Sequence, residues 1–316
     1  MRQRIDWIDS AKAIAMLAVV LGHMPSPLTL FLFSWHLPLF FFVSGFFLHT
    51  RDSLRKDIIK NLKKYMIPFF VFAFIGLGIE YIKRLLFPHY PFITPTIHLE
   101  NELIGIFYYM DFTHMHQYGF VLWFLPALFW AKTILVAIVK YCMYLPIQCL
   151  LVLGFFLSGL YGWKLPFALN AGCIGLFWMF IGFQLFPFLK IKTLSFWISV
   201  VCLLVCLFLP KPYINIALYQ VDVFWYAIPY SLIMIMSIIG IVQYVQEHMS
   251  IYFLSLWGKE TLTVFIIHPY INNIAGIVSG LIFPNAWGLT YGLSVAGISA
   301  IVLVKERFLI AFGMTK

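Results

Sequence analysis

The sequence predicts an all-α, polytopic membrane protein of about ten transmembrane helices with both termini in the cytoplasm. Three observations lead there. Hydrophobic residues make up 63% of the 316-residue chain and charged residues only 10%, where a soluble domain carries about a quarter. Apolar runs near the ~20 residues that a spanning helix needs recur along the chain, and mean hydropathy is +0.94. Basic residues gather at one side of these runs. Backbone groups in lipid must be satisfied internally, so the runs read as helices, and they are too continuous for the alternating strands of an outer-membrane barrel.

Taken in order, the spans cover roughly 8–25, 31–49, 65–82, 120–139, 146–161, 168–187, 194–209, 225–245, 260–282 and 287–304. The first follows basic residues, as in a signal peptide, but no small-x-small cleavage site is present and it reads as a retained helix. Pro25 and Pro27 end it near Met24, because a residue before proline is pushed out of the helical region. Pro38 disturbs the second span. A basic loop precedes the third, and residues 83–119 form a long outer loop with Pro88, Pro91, Pro95, His89, His98, His114 and His116; long loops in compact proteins are often functional. His114 and His116 lack an evident third ligand, so no metal is expected. The whole of 1–316 reads as one membrane domain with no appended soluble domain.

Orientation follows from lysine and arginine. With the N-terminus inside, the cytoplasmic side holds Arg2, Arg4, Lys12, Arg51, Arg55, Lys56, Lys60, Lys63, Lys64, Lys140, Lys190, Lys192, Lys259, Lys305, Arg307 and Lys316, which is 16 of 21. The outer side holds Lys83, Arg84, Lys164 and Lys211, and Lys132 falls within a span. The net charge of +9 therefore belongs to span ends and points to the bilayer, not to nucleic acid. The five cysteines (Cys142, Cys149, Cys173, Cys202, Cys206) lie in or beside apolar spans, without metal spacing, and read as buried thiols.

Chemistry concentrates in the first span. Lys12 and His23 stand eleven residues apart, close to three helical turns, so they share a face ~16 Å apart along the axis. Asp9 lies three residues before Lys12, on the same side. A polar stripe on an apolar span must face protein or a water-filled cavity. Lys12 reads either as a snorkelling anchor or as a functional cation, and His23 as a site residue or a buried, hydrogen-bonded one. The prolines place His23 in the last turn, beside irregular backbone of the kind tolerated at membrane depth only around cavities. His36 and His268 each stand within two residues of a proline and carry the same two readings. Lys132 and Glu80, in or near spans, each need a partner.

These residues sit in a pattern that resembles the acyltransferase-3 family of integral membrane acyltransferases, which modify surface polysaccharides. The basic residue eleven before His23 is followed by His36-Leu-Pro-Leu-Phe-Phe-Phe-Val-Ser-Gly45, by Lys60-Asn-Leu-Lys63-Lys64-Tyr-Met-Ile-Pro68, by Leu122-Trp-Phe-Leu-Pro-Ala-Leu128, by Leu165-Pro166 ahead of Phe180-Ile-Gly182, and by Gly258-Lys-Glu-Thr-Leu-Thr-Val-Phe-Ile-Ile-His268-Pro269. The resemblance covers nearly the whole chain and is nearest to the fucose 4-O-acetylase-like branch. The family often has arginine at the positions of Lys12, Lys60 and Lys64; lysine keeps the charge but loses the bidentate fork. Larger relatives carry an extra extracytoplasmic domain that this chain is expected to lack.

The resemblance implies O-acetyl transfer from acetyl-CoA, as acyl donor and without a metal, to a sugar hydroxyl of a surface polysaccharide (capsule or O-antigen) or an undecaprenyl-linked precursor, at the bacterial cytoplasmic membrane. It assigns the donor phosphates to Lys12, Lys60, Lys63 and Lys64, with ordinary positive-inside charge as the plain alternative for the lysine loop. His23 becomes the general base or the site of an acetyl-histidine intermediate. Asp9 orients or neutralises Lys12, and His36 and His268 stand behind His23. Trp123 is read as an interfacial aromatic, or as a ring that stacks on sugar or adenine. Two rival functions stay open at the sequence level: a transporter or flippase of a lipid-linked saccharide, and a non-catalytic sensory or assembly module.

Overall fold

The computed structural model of the chain describes residues 5–48, 50, 52–86, 98–110, 114–191, 193–249 and 251–311. Pro88, His89, Pro91 and Pro95 of the expected outer loop, and Arg2, Arg4, Arg51, Lys192 and Lys316 of the orientation argument, lie outside them. The described residues are almost wholly helical, apart from a small hairpin of β1 (Ile214–Asn215) and β2 (Gln220–Val221). Each predicted apolar run contains helix. Six helical stretches are long and apolar enough to cross a membrane: Leu54–Leu86, Gly119–Tyr141, Leu169–Ile191, Phe224–His248, Thr261–Ile282 and Trp287–Phe308. Thr29–Gly45, Leu145–Tyr161 and Phe196–Phe208 are apolar but shorter.

The chain forms two compact units, one from residues 1–43, 185–214 and 221–316, the other from 44–184 with 215–220. In the first unit α1 (Asp6–Gly22) is buried on nearly every side, Asp9 and Ser10 included. It packs against α2 (Thr29–Phe33), α12 (Phe224–His248), α13 (Tyr252–Lys259), α14 (Thr261–Ile282) and α15 (Trp287–Ala311). Its approach to α13 is close enough to need a glycine: a Cβ on Gly258 would collide with the Asp9 backbone. Two side chains tie neighbouring helices to the far end of α1, where Asn272 Nδ2 donates to the Val20 carbonyl at 3.0 Å and Tyr291 Oη to that of Leu17 at 3.4 Å. The second apolar run is not one helix. It breaks at Ser34–Trp35 into α2 and α3 (His36–Gly45), which puts Pro38 in the first turn of α3, where its missing N–H has no helical partner to lose.

In the second unit α4 (Leu54–Asn61) starts at Ser53, whose hydroxyl accepts from the Lys56 N–H at 3.4 Å. It runs without a break through a π-helical turn, Leu62–Met66, into α5 (Ile67–Leu86). The expected outer loop is partly helical: α6 (Leu99–Phe107) and α7 (Gln117–Val121) precede α8 (Phe124–Tyr141). Alternating prolines and aromatics hid this, because Leu99–Phe107 is one short amphipathic stretch between breakers. After α9 (Leu145–Tyr161), the Leu165-Pro166 segment turns through Phe167 and Ala168, both at a positive φ of 52°. Asn170 holds that turn, accepting from Leu165 N–H at 2.7 Å and donating to the Trp163 carbonyl at 3.0 Å. α10 (Leu169–Ile191) follows, and α11 (Phe196–Phe208) packs on α12.

Candidate active site

α1 ends on Gly22 and His23 caps it, so the predicted break falls where Pro25 and Pro27 require. The His23 side chain is exposed at the end of α1. Next to it stands His268 of α14, fully buried, with ring centroids 5.1 Å apart and planes at 44°. The sequence placed these two residues 245 positions apart without joining them; the fold makes them a pair.

Proline explains the state of His268. Pro269 has no N–H, so the carbonyl four residues back, on Phe265, loses its helical donor. His268 Nδ1 takes that place and donates to Phe265 O at 2.7 Å. Assigned from this bond, the proton sits on Nδ1 and Nε2 carries a lone pair. That Nε2 is buried and has no partner, a state costing about 1–3 kcal/mol if nothing ever fills it. One turn further along the same face of α14, Asn272 has its amide nitrogen committed to Val20, and its Oδ1 is a second buried acceptor without a donor. Sequence reading passed over Asn272. The signal was its i,i+4 spacing from His268, visible only once His268 itself was placed.

The other expected residues fall as follows. Asp9 and Lys12 form an ion pair at 2.6 Å near the start of α1. His36 is buried, donates from Nδ1 to Leu32 O at 2.5 Å, packs its ring edge-on against Phe33 and Trp35, and lies within electrostatic reach of His23. In the second unit Lys60, Lys63 and Lys64 are exposed, the last with its ammonium 5.2 Å from the centre of the Tyr65 ring. Trp123 is buried at the start of α8, which it precedes, edge-on to Phe124. Glu80 pairs with Lys83 at 2.5 Å and Arg84 at 3.0 Å. His116 pairs with Glu102 at 2.8 Å, and among the described residues no three His, Cys, Asp or Glu side chains converge as metal ligands.

A profile of the acyltransferase domain that defines the acyltransferase-3 family matches residues 5–305. The chain belongs to that family. It is a membrane acyltransferase, multi-pass by its apolar helices. No curated protein and no solved structure matches it. Acyl transfer needs a group that removes a proton from the attacking nucleophile and contacts that hold that nucleophile still. In this acyltransferase the His23–His268 pair and the Asn272 amide, all in the first unit, are groups with the chemistry for both.

Proposed function

We propose that this acyltransferase moves an acetyl group from acetyl-CoA to a sugar hydroxyl of a bacterial surface polysaccharide or its undecaprenyl-linked precursor, as in the fucose 4-O-acetylase-like branch. It works in the cytoplasmic membrane as about ten spans with both termini inside. The observation that carries the reading is the His23–His268 pair beside two buried acceptors that lack donors. A polyol supplies such donors: its hydroxyls fill His268 Nε2 and Asn272 Oδ1, and another is left facing His23.

In the transfer, His23 takes the proton of the attacking hydroxyl while that oxygen bonds to the thioester carbonyl carbon. The tetrahedral adduct then breaks its C–S bond, and the proton returns from His23 to the departing thiolate, giving an O-acetyl ester and the free thiol. Asp9 fixes Lys12 near the cytoplasmic end of α1, where its ammonium suits a donor phosphate, and Lys60, Lys63 and Lys64 of the second unit offer the same charge. His36 stays behind His23 as a supporting group. The test is thiol release by the purified protein in lipid nanodiscs supplied with acetyl-CoA and a panel of glycosides. Glycoside-dependent release that His23→Ala lowers by about 10²–10⁴-fold supports the reading; the same release from the variant contradicts it.

A further inference from the structure

We propose that Lys132, together with Lys60 and Lys64, forms a binding site for a multiply charged phosphate group within the second unit. α8 packs on α4 and on the π-helical turn Leu62–Met66, and the two run antiparallel. Lys140 of α8 meets Asp57 of α4 at 2.7 Å and also donates to the Asp52 carbonyl. Lys132 stands eight residues before Lys140, and Tyr65 eight residues after Asp57. The same register therefore brings Lys132 to Tyr65, about 12 Å deeper along the helices, and its ammonium is within hydrogen-bonding reach of that side chain.

The two rungs differ in charge. The outer one is closed by a carboxylate. The inner one offers Lys132 only the Tyr65 phenol, and the like charges of Lys64 and Lys60 also reach it. Asp57, the acid on this stretch of helix, is already taken by Lys140. A cation inside a membrane span requires an anionic partner or a water-filled path, and here further cations crowd it. The π-helical turn carries Lys63, Lys64 and Tyr65 on a locally widened backbone, a feature that concentrates at functional sites. A di- or polyphosphate fits: it neutralises several ammonium groups at once and accepts from the Tyr65 hydroxyl. Two sources carry that chemistry, the nucleotide phosphates of the acyl donor and the headgroup of an anionic lipid. In its donor form the inference rests on the transfer reading and adds Lys132 to it.

The experiment uses the full chain in phosphatidylcholine nanodiscs, titrated with inorganic pyrophosphate and with coenzyme A while binding and unfolding temperature are followed. Wild type is expected to bind both. K132M and K132Q, which remove an uncompensated cation, are expected to keep or raise the ligand-free unfolding temperature while losing about tenfold or more in affinity for both ligands. A second arm exchanges phosphatidylcholine for phosphatidylglycerol: stabilisation by that lipid in wild type and not in the variants assigns the phosphate to a headgroup. Variants that match wild type in both arms, or that lose stability with affinities intact, overturn the proposal. Pyrophosphate carries no acyl group, so binding that depends on Lys132 in a protein that transfers no acetyl keeps this site and removes only the transfer reading.

Discussion

His23 and His268 differ in what surrounds them, and that difference assigns their work. His23 is reached by solvent; His268 is enclosed, its Nδ1 fixed by a carbonyl and its Nε2 bare. His23→Ala is expected to abolish transfer with the protein still inserted, since the residue caps α1 and fills no core position. Asn272→Ala removes an acceptor for one hydroxyl, worth about 1–3 kcal/mol. The expected result is a rise of about 5–150-fold in KM for the glycoside with KM for acetyl-CoA unchanged, read from thiol release; a loss confined to folded yield makes Asn272 a packing residue only. At this scale the sequence disclosed His23, because a charged stripe and two prolines mark it between Asp9 and Pro27. It did not disclose the pairing with His268 or the role of Asn272, because both depend on which helix packs against α1.

The HisPro step in α14 shows why an element can be weakened for use. A proline within a helix removes a hydrogen bond and strains the turn before it, yet α14 continues through Pro269 and His268 occupies the vacated carbonyl. Pro269→Ala restores the backbone N–H that competes for Phe265 O. The variant is expected to show a higher unfolding temperature together with a lower kcat, as His268 loses the bond that fixes its tautomer; unchanged kcat would falsify the coupling. Helices like α14 were legible from apolar length. The break between α2 and α3, the helix α6 within the expected outer loop and the π-helical turn were not, because each turns on local packing or one extra residue per turn, which hydropathy does not register. Glu80 and Lys132 were recognised as needing partners, but the partners lay on the next turn in one case and on another helix in the other.

Across the whole molecule, the charge split between sides of the apolar runs carries the expectation of two cytoplasmic termini. Reporter fusions at each terminus and in the 87–97 segment test it: both ends are expected to report cytoplasm and the segment the opposite side, and an end that reports the outer side contradicts the arrangement. The family extends over 5–305. The acceptor is legible in the sequence by resemblance alone, since sugar identity is set by side-chain placement around the site. Comparing wild type with His23→Ala in the native host by NMR of the surface polysaccharide tests the central claim most directly. O-acetyl signals are expected to vanish in the variant at equal protein level and membrane insertion, with the shifted sugar protons marking the acceptor position. Acetylation that persists unchanged in the variant contradicts it.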